Sequence, residues 1–247
     1  MKFAVESNNG IWVKVQEEIK IPDLRKKILE AQVCISDLDD TDARSPAKEI
    51  GIYRNLFRKR MFNPRFFLWA LNGLVKYVKK RKNVESECWK EYIELFLRDQ
   101  NELANVKKSF DKYEIKRLVY QGVKEFYSLL PNTYKVYFSR NIIEIVNIFG
   151  TYLGFNELHA EVHDKEMETV LFVEKDLKSR NKKPFTKYLV RGDSIEEEGI
   201  LEALDFYKRK GRIEYVVSCF RTTREKENPK FSVNVGNTDM GLVSLLN

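Results

Sequence analysis

Val33-Cys34-Ile35-Ser36-Asp37-Leu38-Asp39-Asp40-Thr41 decides the reading of this chain. Val33–Ile35 is a short apolar run with a β-branched residue at each end, the pattern of a buried strand. It runs directly into Asp37, Asp39 and Thr41. Residues two apart on a strand share a face. A turn here lets the carboxylates of Asp37 and Asp39 converge on one point just past the strand end. Two converging carboxylates repel unless a cation lies between them. A hard divalent cation with oxygen ligands, Mg²⁺ above all, meets that need. An acidic turn, or a helix cap made by Asp-Asp-Thr-Asp, is the plainer alternative.

Two further segments repeat the pattern of a strand running into polar residues. Tyr134–Ser139 is a strand-like run ending in a hydroxyl. Tyr188–Glu197 is a strand running into Gly192-Asp193-Ser194 and then acids. Gly-Asp-Ser alone is common in turns, so the weight lies in the order of all three. With Asp37-x-Asp39-x-Thr41 first, that order resembles the motifs of the haloacid dehalogenase-like superfamily over roughly residues 31–205. The departures are Glu197 where the fourth motif has its last Asp, and Arg140-Asn141 where phosphoserine phosphatases have a glycine pair.

The resemblance implies an α/β fold. It is a Rossmannoid parallel sheet with helices on both faces, its strand ends opening on one crevice, plus an inserted helical-bundle cap. Residues 1–44 and 131–247 would form the core, with 1–31 an N-terminal extension, and residues 45–130 a helical cap of the C1 type. Within the superfamily the order is similar to phosphoserine phosphatase-like members. The implied activity is Mg²⁺-dependent hydrolysis of a small phosphomonoester through an aspartyl-phosphate. Asp37 would be the nucleophile and Asp39 the general acid and base. Ser139 would donate to a phosphate oxygen. The metal would be held by Asp37, the Asp39 carbonyl and Asp193, with Glu197 acting through water or from behind. The third-motif lysine is to be chosen among Lys175, Lys178, Lys182, Lys183 and Lys187. Lys175 is preferred, because it follows Val170–Val173, read as a strand, and because Lys175-Asp176-Leu177 looks like the lysine motif of the family's small capless phosphatases. A weak or inactive binding protein on the same scaffold, or a phosphotransferase, is the competing reading.

The rest of the chain organises around these motifs. Phe3–Val5 and Ile11–Val15 flank Ser7-Asn8-Asn9-Gly10 and read as a hairpin. Ile19–Ala31 reads as a short helix. Helical spacing recurs through residues 45–130: Phe66, Phe67, Ala70, Leu71, Leu74, Val75 and Val78; Trp89, Ile93, Phe96 and Leu97; Leu118, Val119, Val123, Phe126 and Leu130. Four helices packed as a bundle are expected there. Ile142–Leu153 reads as a helix ended by Gly154, and Leu158–Val173 as short strands. Ile200–Arg209 reads as a helix, Ile213–Phe220 and Phe231–Val235 as strands, and Leu242–Leu246 as a segment docked on the core.

Composition bounds the function classes. The 247 residues are 43% hydrophobic and 13% aromatic, which suits a packed globular protein. Three cysteines, Cys34, Cys88 and Cys219, are too few and too scattered for a disulfide frame or a zinc site and read as reduced thiols. With no long apolar run and no apolar leader core at the N-terminus, a cytoplasmic protein without a membrane span is expected. The formal charge is +7, and residues 50–130 hold 18 Lys/Arg against 9 Asp/Glu. No signature of a nucleic-acid-binding fold accompanies that charge; the partner that the resemblance implies is a small phosphorylated metabolite. Arg44 and Arg140 are candidates to read its anionic part. Asp40, Asp42, Glu196 and Glu198 are expected as solvated neighbours of the site.

Overall fold

The structure is a computed structural model that describes residues 1–6, 11–44, 64–78, 112–179, 183–222, 227–236 and 238–247. The chain divides into two compact units, Met1–Arg44 with Arg117–Asn247, and Ser45–Lys116.

The first unit is built on an eight-stranded sheet. Its strands are β1 (Lys2–Glu6), β2 (Trp12–Val15), β3 (Val33–Ser36), β4 (Tyr134–Phe138), β5 (Glu157–His159), β6 (Lys187–Gly192), β7 (Tyr215–Arg221) and β8 (Val233–Val235). They lie in the order β1-β2-β8-β7-β6-β3-β4-β5. The six strands from β5 across to β8 pair in parallel. The β1–β2 hairpin then adds on antiparallel to β8. The hairpin read in the sequence is therefore the sheet's far edge; its Asn-Gly turn lies outside the described residues. This is a mixed α/β architecture compatible with a Rossmann-like fold.

The strand order fixes where a site can form. From β3 the chain moves to β4 and β5 on one side; from β6 it moves to β7 and β8 on the other. The neighbours β3 and β6 therefore flank the topological switch point, and ligands of open α/β sheets bind at the carboxyl ends there.

Eight helices are described: α1 (Ile21–Leu29), α2 (Pro64–Val78), α3 (Lys112–Leu118), α4 (Val123–Ser128), α5 (Ile143–Leu153), α6 (Lys165–Lys178), α7 (Glu197–Arg209) and α8 (Met240–Leu246). α2 lies in the Ser45–Lys116 unit. The expected helix around Trp89, Ile93, Phe96 and Leu97 lies outside the described residues, as does Cys88. Cys34 and Cys219 are buried free thiols.

Alternation along the central strands separates two faces. On one, Val33 and Ile35, Val136 and Phe138, and Tyr188 and Val190 pack against Phe172 and Val173 of α6 and Ile200, Leu204 and Tyr207 of α7. On the other, Tyr137 and Arg191 meet Phe126 and Tyr127 of α4.

Three expectations change. The run Val170–Val173 is helical, not a strand: it lies inside α6, whose first turn is capped by Asp164 accepting from Met167 N at 2.9 Å. A short apolar run does not distinguish a buried strand from a helix segment. Second, Leu118–Leu130 is not one helix of the insert. Gly122, at φ 88°, separates α3 from α4. A Cβ there would lie 2.4 Å from Met240 N, so only glycine lets α4 meet α8 so closely. Third, Leu118, Val123, Phe126 and Leu130 are buried in the first unit, so the compact insert ends at Lys116 rather than 130.

Candidate functional site

The sequence that follows β3 folds into a tight loop around one buried apolar side chain. Leu38 is fully buried, and its carbonyl accepts from Asp42 N at 3.1 Å and Ala43 N at 3.0 Å. Asp40 N donates to Ala43 O at 2.7 Å, and Asp40 takes a left-handed φ of 55°. Asp is one of the few residues that tolerate that conformation. With Leu38 turned inward, Asp37 and Asp39 flank it on the crevice side.

Asp193 follows β6, the neighbour of β3, and accepts from Thr41 Oγ1 at 3.0 Å. Thr41 thus ties the two strand-end motifs together. Ser139 follows β4, the other neighbour of β3, and is fully buried. Asn141 Nδ2 donates to Asp39 Oδ2, and Asn141 N donates to Ser139 Oγ at 3.2 Å. Asp37, Asp39, Ser139 and Asp193 therefore collect at the carboxyl ends of three adjacent strands.

The cation in this cluster is Lys165, which the sequence reading did not name. It opens α6, is buried, and its ammonium lies 3.3 Å from Asp37 Oδ2 while donating to Glu197 Oε1. Burial opposes its charge, yet Asp37 and Glu197 hold its titration well above the ordinary lysine range. Lys175 lies elsewhere: its side chain is 74% exposed and pairs with Glu157 at 2.9 Å. Lys178 pairs with Glu174, Lys187 starts β6 beside Glu30, and Lys183 is exposed. Lys182 is outside the described residues. The sequence signal for Lys165 was Asp164, an N-cap residue that begins a helix directly before the lysine.

Glu197 is fully buried, and both of its oxygens are engaged. Oε1 takes Lys165, and Oε2 accepts from Ser194 N at 2.8 Å and Ser194 Oγ at 2.9 Å. It fixes the lysine and the loop carrying Asp193. A Cβ on Gly192 would lie 2.2 Å from Glu197 Cγ, so the glycine before Asp193 makes room for this longer acid.

Asp37 and Glu197 thus share one ammonium, with Asp39 and Asp193 close enough to act on the Asp37 carboxyl. Burial, then Glu197, Asp39 and Asp193, push the Asp37 carboxyl well above the usual range against the pull of Lys165. Burial and Glu197 push Asp193 up to about 8. A bound divalent cation would reverse both shifts. Among the described residues no group of three or more His, Cys, Asp or Glu side chains is arranged to hold a metal. Asp37, Asp193 and the Asp39 carbonyl are the oxygens that could hold Mg²⁺, a cation that keeps several waters and takes substrate phosphate oxygens.

The neighbouring charges differ from expectation. Asp42 is fully buried, not solvated. Its Oδ2 accepts from Tyr127 at 2.7 Å and Tyr137 at 2.8 Å, and Arg191 lies 3.2 Å from Oδ1. Burial keeps both phenols well above their ordinary titration range, so they remain donors. Arg191 and Arg221 share Asp239, and Arg221 Nε donates to Thr41 O at 2.6 Å. Arg140, a candidate reader of substrate, pairs with Glu196, so neither is a lone solvated group. Glu198 binds Asn228 and Lys230. Arg44 lies 5.8 Å from the Tyr120 ring. His159 is held between Glu157 and Glu168, and no helix among the described residues is long and apolar enough to cross a membrane.

No family model matches the chain, and no curated protein matches it either. Among solved structures that do match is the UTR4 protein (Unknown transcript 4 protein) of Saccharomyces cerevisiae. It is 10% identical, with a TM-score of 0.43, over 81% of this chain and 95% of that one. So loose a likeness has no bearing on activity.

Proposed function

We propose that this protein is a Mg²⁺-dependent phosphatase of the haloacid dehalogenase-like type, acting on a small phosphomonoester in the cytoplasm. One observation carries the reading: Asp37 and Asp193 stand at the carboxyl ends of the adjacent parallel strands at the switch point, with Lys165 against Asp37. That arrangement supports attack of an Asp37 oxygen on phosphorus. The P–O bond to the leaving group breaks as Asp39 gives that oxygen its proton. Water, deprotonated by Asp39, then attacks the aspartyl-phosphate and releases inorganic phosphate. Lys165 and the Ser139 hydroxyl stabilise charge developing on the phosphoryl oxygens. Mg²⁺, when bound, would neutralise the repulsion between Asp37 and the phosphate dianion. The segment 45–116 interrupts the chain between the first two motifs, the sequence position of a C1 cap.

The test is hydrolysis of p-nitrophenyl phosphate with Mg²⁺ and with EDTA, by wild type, Asp37→Asn and Lys165→Ala. Expected are loss of activity in EDTA, essentially none in Asp37→Asn, and a drop of about 10²–10³-fold in Lys165→Ala, the usual loss for a group stabilising developing charge. A folded Asp37→Asn with wild-type turnover would refute the mechanism.

A further inference from the structure

Asn141 is fully buried beside the site, and its side chain has no ordinary structural task. It precedes α5, where an asparagine often caps; here Ile142 holds the N-cap position and no side chain caps the helix. The Asn141 amide oxygen finds no hydrogen-bond donor among the described residues. A buried amide left half-satisfied is a liability that an apolar residue of similar shape would avoid. What it does instead is donate from Nδ2 to Asp39 Oδ2, while its backbone N–H donates to Ser139 Oγ at 3.2 Å. Its carbonyl is pinned by Glu161 N at 2.9 Å.

We propose that Asn141 is the positioning residue for Asp39 and Ser139. This deepens the phosphatase reading and rests on it. An N–H on Oδ2 makes that oxygen an acceptor and so holds the Asp39 side chain in one orientation. The amide thereby fixes the plane of the carboxyl. The backbone N–H occupies a Ser139 lone pair, which turns the hydroxyl hydrogen outward, toward a phosphate oxygen. In the first step the Asp37–phosphorus bond forms, the phosphorus–alkoxide bond breaks, and the Asp39 proton moves to the alkoxide.

Proton donation matters for an alkoxide and little for p-nitrophenolate, which leaves unprotonated. The test is kcat/KM, which reports steps through aspartyl-phosphate formation, for glycerol phosphate and p-nitrophenyl phosphate. Asn141→Ala should lose about 10–100-fold on the alkyl ester and no more than about 3-fold on the aryl ester, given the usual weight of general acid catalysis. Asp39→Asn is the benchmark for the same bias. Asn141→Asp keeps the shape without the donor and should show the bias if Asn141→Ala does not fold. Equal losses on both esters, or none on either, would overturn the assignment while leaving the phosphatase reading intact. Wild-type protein that hydrolyses neither ester would overturn both.

Discussion

The two faces of the central sheet solve burial in opposite ways. One packs Val33, Ile35, Val136, Phe138 and Val190 against Phe172, Ile200 and Leu204. The other buries two arginines and two aspartates, Arg191, Arg221, Asp42 and Asp239, with Tyr127 and Tyr137 donating into them. Apolar packing is non-directional and tolerates small changes of shape. A buried ionic network is directional, and removing one member leaves the others charged and unpaired. The polar face lies directly beneath the Asp37 loop: Arg221 holds the Thr41 carbonyl, and Thr41 holds Asp193. The difference indicates that the ionic face sets the geometry of the site while the apolar face supplies most of the cohesion.

Substitutions on each face sharpen or break this contrast. The largest effect is expected from Asp239→Ala, which leaves Arg191 and Arg221 without their shared carboxylate. It should cost about 3–5 kcal/mol in urea unfolding, the range for breaking a buried ion pair. A loss under about 1 kcal/mol would mean that the network is replaceable and the contrast false. Ile200→Val on the apolar face should cost only about 0.5–1.5 kcal/mol, with hydrolysis unchanged. A larger loss, or a fall in turnover, would show that face to be as exacting as the other. Lys175→Ala, on the exposed side of α6, should change stability by no more than about 0.5 kcal/mol and leave hydrolysis intact. A strong loss of turnover there would restore Lys175 to the site and displace Lys165.

The strands that end in site residues were legible because each is short, apolar and followed at once by its polar group. Val33–Ser36, Tyr134–Phe138 and Lys187–Gly192 all match the runs read in the sequence. Lys165 was not legible by that rule, because it opens a helix after a loop and no strand precedes it directly. The run Val170–Val173 drew attention ten residues too late. The burial of Asp42 was hidden for a different reason. Four polar residues in a row, Asp39 to Asp42, look alike in sequence, and what separates Asp42 is Arg191, 149 positions on. Leu118–Leu130 shows the same limit: its apolar spacing was right for burial, but Gly122 and the packing on α8 decide which body it joins.

The described residues of the N-terminal hairpin supply none of the site side chains named above, yet they change the edge that the sheet presents. β8 is only three residues long, and Val233 and Val235 are buried. Bare, it would be an apolar strand with unpaired amides and carbonyls, a template for edge-to-edge association. Val13 and Val15 of β2 close it, pairing with Val235 and Val233. The new border carries Lys2, and Lys14 reaches over the Phe3 ring at 4.5 Å. Lysines on an edge discourage further strand addition. The described residues of the hairpin thus replace an apolar border of the sheet with a charged one.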